Sequence, residues 1–542
     1  MNGGFVRAAV LAGIVALAVP AATPAPAHAA APDSALEGRI VRSVRIETRD
    51  IYDPLPTGRT RELFRLANRL HVRSRHATVR PSLVFRAGEP WSDAARAESE
   101  RRLRALAFLV PDSIVAVAHG DSVDVKVVTS DNWTTSPEFS LESGGGQQFG
   151  SFSFTERNFL GLGTSLSVSR HHDPVGVSSF ASIEDRNAFG THWRGKFVTG
   201  TGASGRTHVA LAELPFWADA APFTMGAEWL RSVSTTHLFA DLVEAAQVPR
   251  REEALNLFFG IGRRTADGTI HRLAFSFHAA DRDLGASILE PGSPGEFAGD
   301  AETLRLRRVA AEARIWSPRF IERQGVEQID RIEDIDIGRS LSVMIGVSPQ
   351  AFGGTQDEGY ARGRLNVGAD AGRAGFGLLG MDAYTRLHGG PLGSYGQVDA
   401  RWVHSTGSRL TAVAAVQGVA GSRMERDFQL TVGGLSGLRA FPVRELSGTQ
   451  YWRANAEWRG VAKRDLMHLV SLGGAVFWDA ARAWGPGSGS EGWHHNAGFG
   501  LRLSLPHSSL NAVARFDIAW PVAPSVDGRH GAAYSFGSGQ AF

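Results

Sequence analysis

The chain has 542 residues, a formal net charge of +2 and no cysteine. A charge so close to zero gives no case for nucleic-acid binding, and the lack of cysteine excludes a disulfide-stabilised fold. The 63 glycines and 13 tryptophans fit tight turns and interfacial aromatic belts better than a helical enzyme.

Residues 1–29 are typical of a signal peptide. Arg7 is followed by an apolar stretch from Ala8 to Val19, then by prolines and by the small-residue cleavage site Ala27-His28-Ala29. That stretch is shorter than the roughly 20 residues that a helix needs to cross a bilayer, and no later stretch is long and apolar enough. We therefore expect an exported protein, and a helical membrane anchor is not predicted.

Residues 38–130 predict a small α+β domain. Ile40 to Ile46 alternates apolar and polar residues as a strand does, and a helix begins after Ser92, a good N-cap residue. Ile114 to Ala118 and Val123 to Val128 flank a turn and predict a hairpin. An additional helix is predicted by the spacing of Leu63, Leu66, Ala67 and Leu70.

Residues 133–542 predict a transmembrane β-barrel. In Tyr451 to Val461 and again in Leu510 to Trp520, every second residue is apolar and those between are largely polar or charged. A water-soluble sheet does not usually bury a charged face, so this alternation indicates one face against lipid and one against a polar lumen. We expect Trp452, Trp458, Phe516 and Trp520 to face lipid, and Arg453, Glu457, Arg515 and Asp517 to face the lumen.

Several short motifs follow one another in an order that is more specific than any one of them. In residues 38–130 they are Leu83-Val84-Phe85, Gly88 and Leu103-Arg104. In residues 133–542 they are Asn158-Phe159-Leu160-Gly161-Leu162-Gly163, Gly433-Gly434, Leu438-Arg439-Ala440-Phe441, Asn455 with Glu457 and Arg459, Phe477-Trp478-Asp479, Gly498-Phe499-Gly500-Leu501-Arg502, Arg515 with Asp517, and the terminal Phe542.

With these motifs the chain resembles the bacterial surface antigen family of outer-membrane assembly and translocation barrels, which are BamA/TamA-like. The resemblance implies an all-β antiparallel transmembrane barrel of about 16 strands, preceded by one periplasmic domain of the polypeptide-transport-associated (POTRA) type. A single such domain fits neither the several domains of BamA-type machines nor the two domains and plug helix of two-partner secretion transporters.

The resemblance assigns a loop-lock motif to Leu438, Arg439, Ala440 and Phe441. In the family this arginine motif lies at the tip of the sixth extracellular loop, folded back into the lumen, and Asp479 matches its acidic partner on the wall. A guanidinium can bind a carboxylate through two parallel hydrogen bonds. By strand parity Glu457 also faces the lumen and could be a second acceptor. The family usually has glycine where this chain has Ala440 and Ala481.

The C-terminus resembles a barrel-assembly signal, which pairs as an added strand with the assembly machinery. Ser535, Gly537 and the terminal Phe542 match its polar, glycine and aromatic positions, whereas Gln540 stands where an apolar residue is expected. Glycines in this closing strand are expected to weaken its pairing with the first strand, placed near Phe149 to Thr155.

No catalytic residues, metal site or cofactor are predicted. The pairs His171-His172 and His494-His495 are adjacent on strands, so their side chains point to opposite faces. The acidic run from Glu327 to Asp336 lacks the glycine-centred spacing of a calcium loop and is interpreted as a solvated turn.

The resemblance implies a non-enzymatic barrel in the bacterial outer membrane that inserts or translocates proteins through a lateral seam between its first and last strands. Its partners would be outer-membrane lipids, unfolded or secreted protein clients and, during biogenesis, the barrel-assembly machinery. A passive solute channel or porin and a lipid-transport barrel stay open as alternatives.

Overall fold

The structure, a computed structural model, describes residues 35–542 except 59–60, 145–146, 174, 373–374, 407–408, 435–436, 489–491, 509–512, 524, 527 and 529. The signal peptide predicted for residues 1–29 lies outside this part of the chain. Within it, no helix has both the length and the apolar character needed to span a membrane.

Residues 35–131, here called the N-terminal unit, fold into a three-stranded sheet and helices. The central strand β3 pairs in parallel with β1 and antiparallel with β2. Val123, Val125 and Val127 of β3 point into a buried apolar cluster together with Leu103 and Phe108. The identity of this unit as a POTRA domain stays a prediction. Its elements are β1 (Ile40–Arg49), α1 (Arg61–Leu70), α2 (His76–Val79), α3 (Asp93–Arg104), β2 (Leu109–His119) and β3 (Ser122–Asp131).

The rest of the chain forms a closed antiparallel barrel of 20 strands, not counting the two-residue strand β13. Neighbours in sequence are neighbours in the barrel, and the last strand closes on the first. The first ten strands are β4 (Thr135–Gly144), β5 (Gln147–Phe159), β6 (Thr164–Asp173), β7 (Gly176–Asp185), β8 (Arg194–Gly202), β9 (Gly205–Leu214), β10 (Phe223–Ala240), β11 (Val243–Arg264), β12 (Ile270–Leu284) and β14 (Glu302–Ser317), with β13 (Ile288–Leu289) between the last two.

The second half of the chain also contains two small hairpins that are not part of the barrel wall. Its wall strands are β17 (Arg339–Ser348), β18 (Glu358–Asp370), β19 (Gly375–Leu387), β20 (Pro391–Thr406), β21 (Leu410–Ser422), β24 (Gln450–Leu466), β25 (Val470–Trp484), β26 (His494–Ser504), β27 (Ala514–Pro521) and β28 (Ala533–Ser538). The small hairpins are β15 (Phe320–Gln324) with β16 (Ile332–Asp336), and β22 (Leu430–Val432) with β23 (Leu446–Gly448).

The prediction of about 16 strands was therefore wrong, because the barrel has 20. Many connections between wall strands are short, such as residues 203–204, 241–242 and 388–390. Because these loops are short, more of the chain is available to form strands. The first strand is also β4 and not Phe149 to Thr155, a segment that belongs to β5.

The assignment of faces from strand parity is confirmed where the structure separates the two sides. Trp458, Phe516 and Trp520 are exposed on the outer wall. Glu457 and Asp517 are buried in the lumen, as is Arg515. Trp452 and Arg453 are half-buried, and the segment 509–512 of the Leu510 to Trp520 pattern lies outside the described residues.

The N-terminal unit docks on one end of the barrel, here called the near end, through the β5–β6 turn. Thr78 donates to the Gly161 carbonyl (2.8 Å) and Asn158 donates to Ser74 (2.8 Å). Gly161 has a φ of +74°, and a Cβ there would stand 2.4 Å from the Arg73 carbonyl oxygen. Glycine is needed at this position both for the left-handed backbone and for the close approach.

A second contact joins α3 to the turn between β9 and β10. The buried Glu98 carboxylate accepts the Asp219 backbone N–H at 2.8 Å. Burial raises the pKa of Glu98, because removing a carboxylate from water disfavours its charged form.

Two segments fold into the lumen from opposite ends. The inner loop, residues 423–449 between β21 and β24, enters from the far end, and the inner hairpin, residues 318–338 with β15 and β16, enters from the near end. The interpretation of Glu327 to Asp336 as a solvated turn was wrong, because Ile332–Asp336 form the strand β16, Ile329 is buried and Arg104 donates to Asp334 at 2.7 Å.

Candidate functional site

The tip of the inner loop is shaped by glycines that precede the arginine motif. Gly433 and Gly434 both have positive φ, at +156° and +54°, and a Cβ on Gly433 would meet the Pro442 carbonyl oxygen at 2.0 Å. The Gly434 N–H donates to the Phe441 carbonyl at 3.1 Å, which closes the turn. This fold directs the Arg439 side chain toward the wall formed by β24 to β27.

Arg439 binds Asp479 through two parallel hydrogen bonds. Its Nε donates to Oδ2 at 2.9 Å and its Nη2 donates to Oδ1 at 2.8 Å. The same guanidinium lies 3.3 Å from the ring centre of Phe477 and donates from Nη1 to Glu457 at 3.1 Å. Both Arg439 and Asp479 are buried, so the pair is shielded from solvent and its geometry is fixed from several sides.

Two of the carboxylates around Arg439, those of Glu457 and Asp517, are shared with further arginines. Arg502 donates to Asp517 at 2.6 Å and to Glu457 at 2.9 Å, so it bridges the two acids that Arg439 also approaches. Arg459 lies 3.4 Å from Glu457, and Arg515 lies 3.8 Å from Asp517. The cluster thus holds four guanidinium groups and three carboxylates, all buried, and no acid in it depends on a single partner.

Two amides orient Asp479 further. Asn455 donates to Oδ1 and Asn496 donates to Oδ2, each at 2.8 Å. Asn455 also donates to the Gly437 carbonyl at 3.1 Å and so ties the loop itself to the wall. Asp479 therefore accepts four side-chain hydrogen bonds, which hold its two oxygens in the plane that the guanidinium requires.

Alanines replace the two glycines of the family pattern without opening the site. Ala440 and Ala481 are buried in one apolar cluster with Leu438 and Phe441. Ala440 does not have a positive φ, so its methyl group imposes no backbone strain. The methyl groups add apolar contact at the point where the loop meets the wall.

The closing strand pairs weakly with the first strand. Between β28 and β4 the ladder contains three residue pairs, Tyr534 with Ser143, Ser535 with Glu142 and Phe536 with Leu141. The next shortest ladder between neighbouring wall strands is that of β27 with β28, which contains six pairs. This junction, here called the seam, is the place where the described barrel wall has its shortest ladder of paired residues.

The residues of the predicted assembly signal do not all belong to one strand. Ser535 and Gly537 lie on the inner face of β28, which ends at Ser538, and Gly539 turns the chain with a φ of +86°. Phe542 then packs in the lumen against the buried cluster that includes Ile337 of the inner hairpin, and Arg459 donates to its carbonyl oxygen at 3.3 Å. The structure places the terminal aromatic away from the outer wall, and its role as a signal stays a prediction.

The structure brings Arg439, Asp479 and Glu457 together, but the sequence interpretation left part of the cluster unassigned. Asn496, Arg502 and Asp517 were not predicted to contact the loop motif. Their strand parity was the available signal, since all three occupy inward positions on β26 and β27. What parity could not provide is the height of each residue along the barrel, which depends on strand register.

Comparisons with known proteins are limited to the fold. No protein-family model matches the chain, and no curated protein sequence matches it. Among solved structures, BamA from Haemophilus ducreyi lacking POTRA domains 1-3 is 12% identical, with 93% of this chain and 85% of that chain covered and a TM-score of 0.41. CdiB from Escherichia coli is 11% identical, with 93% and 77% covered and a TM-score of 0.45.

A third solved structure, CdiB from Acinetobacter baumannii, is 11% identical over 93% of this chain and 74% of that chain, with a TM-score of 0.44. At such identities and scores the likeness carries no argument about family or activity. The closed wall, the apolar outer face and the charged lumen define the class of the protein as a transmembrane β-barrel of the outer-membrane type.

Proposed function

We propose that this protein is a barrel of the bacterial surface antigen type that inserts proteins into the outer membrane, or passes them across it, through the seam between β4 and β28. The N-terminal unit is the POTRA-like periplasmic domain in this proposal, and the near end faces the periplasm. The observation that carries the proposal is the seam, where three residue pairs close a barrel of 20 strands.

The free-energy cost of separating two wall strands is expected to be lowest at the seam. A backbone hydrogen bond contributes about 0.5–1.5 kcal/mol net in water, and an unsatisfied group in lipid costs several kcal/mol. The ladder with three pairs can therefore open at a lower cost than any ladder with six or more. A client strand that adds to the freed edge of β4 would restore the lost hydrogen bonds, as in other cases of strand addition.

The lumen supports lateral opening over passage through an open pore. The inner loop is anchored at the far end by Arg250 to Asp427 (2.5 Å) and by Glu425 to Arg386 (3.2 Å). The inner hairpin is anchored at the near end by Arg104 of the N-terminal unit, which binds Asp334 at 2.7 Å. Both ends are thus occupied by segments that are fixed by charged contacts.

Photocrosslinking tests where clients meet the barrel. A crosslinking residue at Phe536, on the outer face of the seam, is compared with one at Trp458, which is exposed on the outer wall away from the seam. We expect adducts with nascent outer-membrane or secreted polypeptides, identified by mass spectrometry, at Phe536 and few at Trp458. Equal labelling at the two positions would remove the support for a seam-directed path.

The alternative of a passive solute channel is tested by liposome swelling. Because the inner loop and the inner hairpin occupy part of the lumen at its two ends, we expect proteoliposomes in an isotonic sugar solution to swell no faster than empty liposomes. Rapid swelling with the unaltered protein would favour the channel. No contact in the described residues favours lipid transport over protein transport.

A further inference from the structure

Helix α1 carries an apolar face that no other part of the described chain covers. Leu63, Leu66 and Leu70 recur at helical spacing and are 52%, 49% and 66% exposed. Val72, just beyond the helix, is 50% exposed. These four residues are here called the α1 stripe. A contiguous exposed apolar surface of this kind on a short helix marks an interaction site.

The other sides of α1 fix its position at the near end of the barrel. Phe64 is buried against Tyr52, with ring centres 4.4 Å apart, and approaches His468 in the β24–β25 turn at 6.5 Å. Tyr52 in turn contacts His507 in the β26–β27 turn at 4.9 Å. The helix therefore lies against the turns that end the lipid-facing strands, with the α1 stripe directed away from them.

The α1 stripe is continuous with the lipid-facing wall. A cavity of about 690 Å³ is lined on one side by Leu70 and Val72 and on the other by outer-face residues that include Phe154, Ile183 and Phe197. The last three belong to β5, β7 and β8, whose outer faces lie in the membrane. The cavity is a mostly apolar slot that opens between the helix and the membrane-exposed surface.

A second face of α1 is basic. Arg61, Arg65 and Arg69 follow one another at intervals of four residues, and all three are exposed. Arg65 pairs with Glu62 at 2.7 Å, whereas no ion pair joins Arg61 or Arg69 to another described residue. An apolar face and a basic face on one helix are typical of helices that lie in the plane of a membrane surface.

We propose that α1 is an interfacial helix that inserts the α1 stripe into the near-end leaflet, with the cavity occupied by a phospholipid acyl chain and anionic headgroups beside its arginines. Continuity with the lipid-facing wall identifies the occupant as lipid, because one side of the cavity is formed by the outer-face residues Phe154, Ile183 and Phe197, which lie against acyl chains. The proposal goes beyond the proposed client activity and does not depend on it. Its consequence is that the leaflet, besides the barrel turns, holds the N-terminal unit in place.

Single-cysteine labelling tests the proposal cleanly because the chain has no cysteine of its own. Leu66→Cys and Leu63→Cys on the stripe, and Arg65→Cys on the basic side, are labelled with an environment-sensitive fluorophore in the full-length protein. Each variant is reconstituted in phosphatidylcholine vesicles with and without bromine on the acyl chains. Val476→Cys on the outer wall provides the fully quenched reference, and heat-modifiable migration on gels shows that each variant is folded.

We expect bromolipid to quench both stripe positions several-fold more than Arg65→Cys. Equal weak quenching at all three α1 positions would place the helix in water and overturn the proposal. The headgroup assignment has its own measurement, in which phosphatidylglycerol is added to the vesicles. Quenching at Leu66→Cys is expected to increase when this lipid is present. The increase is expected to be smaller in a variant that also carries Arg61→Gln and Arg69→Gln. The same quenching with and without phosphatidylglycerol would overturn the headgroup assignment.

Discussion

Arg439 and Asp479 meet through two parallel hydrogen bonds of 2.9 and 2.8 Å, although 40 residues separate them in the chain. The first belongs to a loop that enters from the far end, and the second belongs to the wall strand β25. This pair ties the tip of the inner loop to the wall, in addition to the bond from Asn455 to the Gly437 carbonyl and the ion pairs of Asp427 and Glu425 at the far end. The loop is therefore expected to respond to any change in the pair.

Removing the guanidinium should destabilise the barrel strongly. Arg439→Ala leaves Asp479 without its bidentate partner and Glu457 with fewer donors in a buried site, which costs about 3–5 kcal/mol. The measurement is a urea titration of folding in proteoliposomes. Arg364→Ala is the matched control, because the Arg364 side chain is 42% exposed and its ion pair with Asp382 is long, at 3.6 Å. We expect it to change the free energy of unfolding by less than about 0.5 kcal/mol, and an equal loss in both variants would contradict the loop-lock assignment.

The acids around Arg439 should not couple to it equally. Asp479 receives both parallel bonds, whereas Asp517 lies 3.5 Å from Arg439 and is bound more closely by Arg502. Double-mutant cycles with Arg439→Ala are expected to give a coupling of about 2–3 kcal/mol for Asp479→Asn and below about 1 kcal/mol for Asp517→Asn. The reverse order would show that the arginine is held mainly by β27.

A methyl group at Gly161 should loosen the N-terminal unit. Gly161→Ala places a Cβ 2.4 Å from the Arg73 carbonyl, whereas Gly190→Ala, at a similar φ of +71°, meets no atom within 4 Å. Both changes carry the backbone cost of about 1 kcal/mol for a left-handed residue, and only the first carries the clash. Hydrogen exchange of residues 72–79 is expected to accelerate in Gly161→Ala alone; identical exchange in both variants would rule out the close approach.

A charge on the outer wall should be costly at mid-height. Val476 is exposed near the centre of β25, between Trp458 of β24 and Phe499 of β26. Val476→Arg is expected to destabilise the barrel by about 2–4 kcal/mol in a folding titration. Val476→Leu keeps the surface apolar and serves as the control. If arginine were tolerated as well as leucine, this wall would not face lipid.

The sequence predicts local faces well and long-range placement poorly, and the inner hairpin shows why. Parity alone assigned Glu457 and Trp458 to opposite sides, because alternation is a property of each strand. Ile337 is buried against the wall residues Phe376, Val403 and Val413, which come much later in the chain. Arg401 and Arg459, also later in the chain, bind Glu327 and the Val326 carbonyl of the same hairpin. No local pattern records such partners, so an acidic run looked like a solvated turn.

The number of strands and the position of the inner loop show the same difference between local patterns, which the sequence predicts, and long-range arrangement, which it does not. The resemblance places the arginine motif in the sixth extracellular loop of a 16-stranded barrel, which leaves five strands after it. Here five strands also follow the inner loop, β24 to β28, although the barrel has 20. The four additional strands therefore precede the loop, in residues whose short turns give no signal of how many hairpins to expect.

The most direct test of the proposed function is to lock the seam. Leu141 and Phe536 face each other across it, so Leu141→Cys with Phe536→Cys can form a disulfide between directly opposed strand residues. Phe139→Cys with Phe152→Cys locks the ordinary pair β4 and β5 as the matched control. Insertion of a small unfolded outer-membrane barrel protein into the same proteoliposomes is then measured by heat-modifiable migration. We predict that oxidation abolishes insertion in the seam variant alone and that reduction restores it; full insertion with the seam locked would contradict the account.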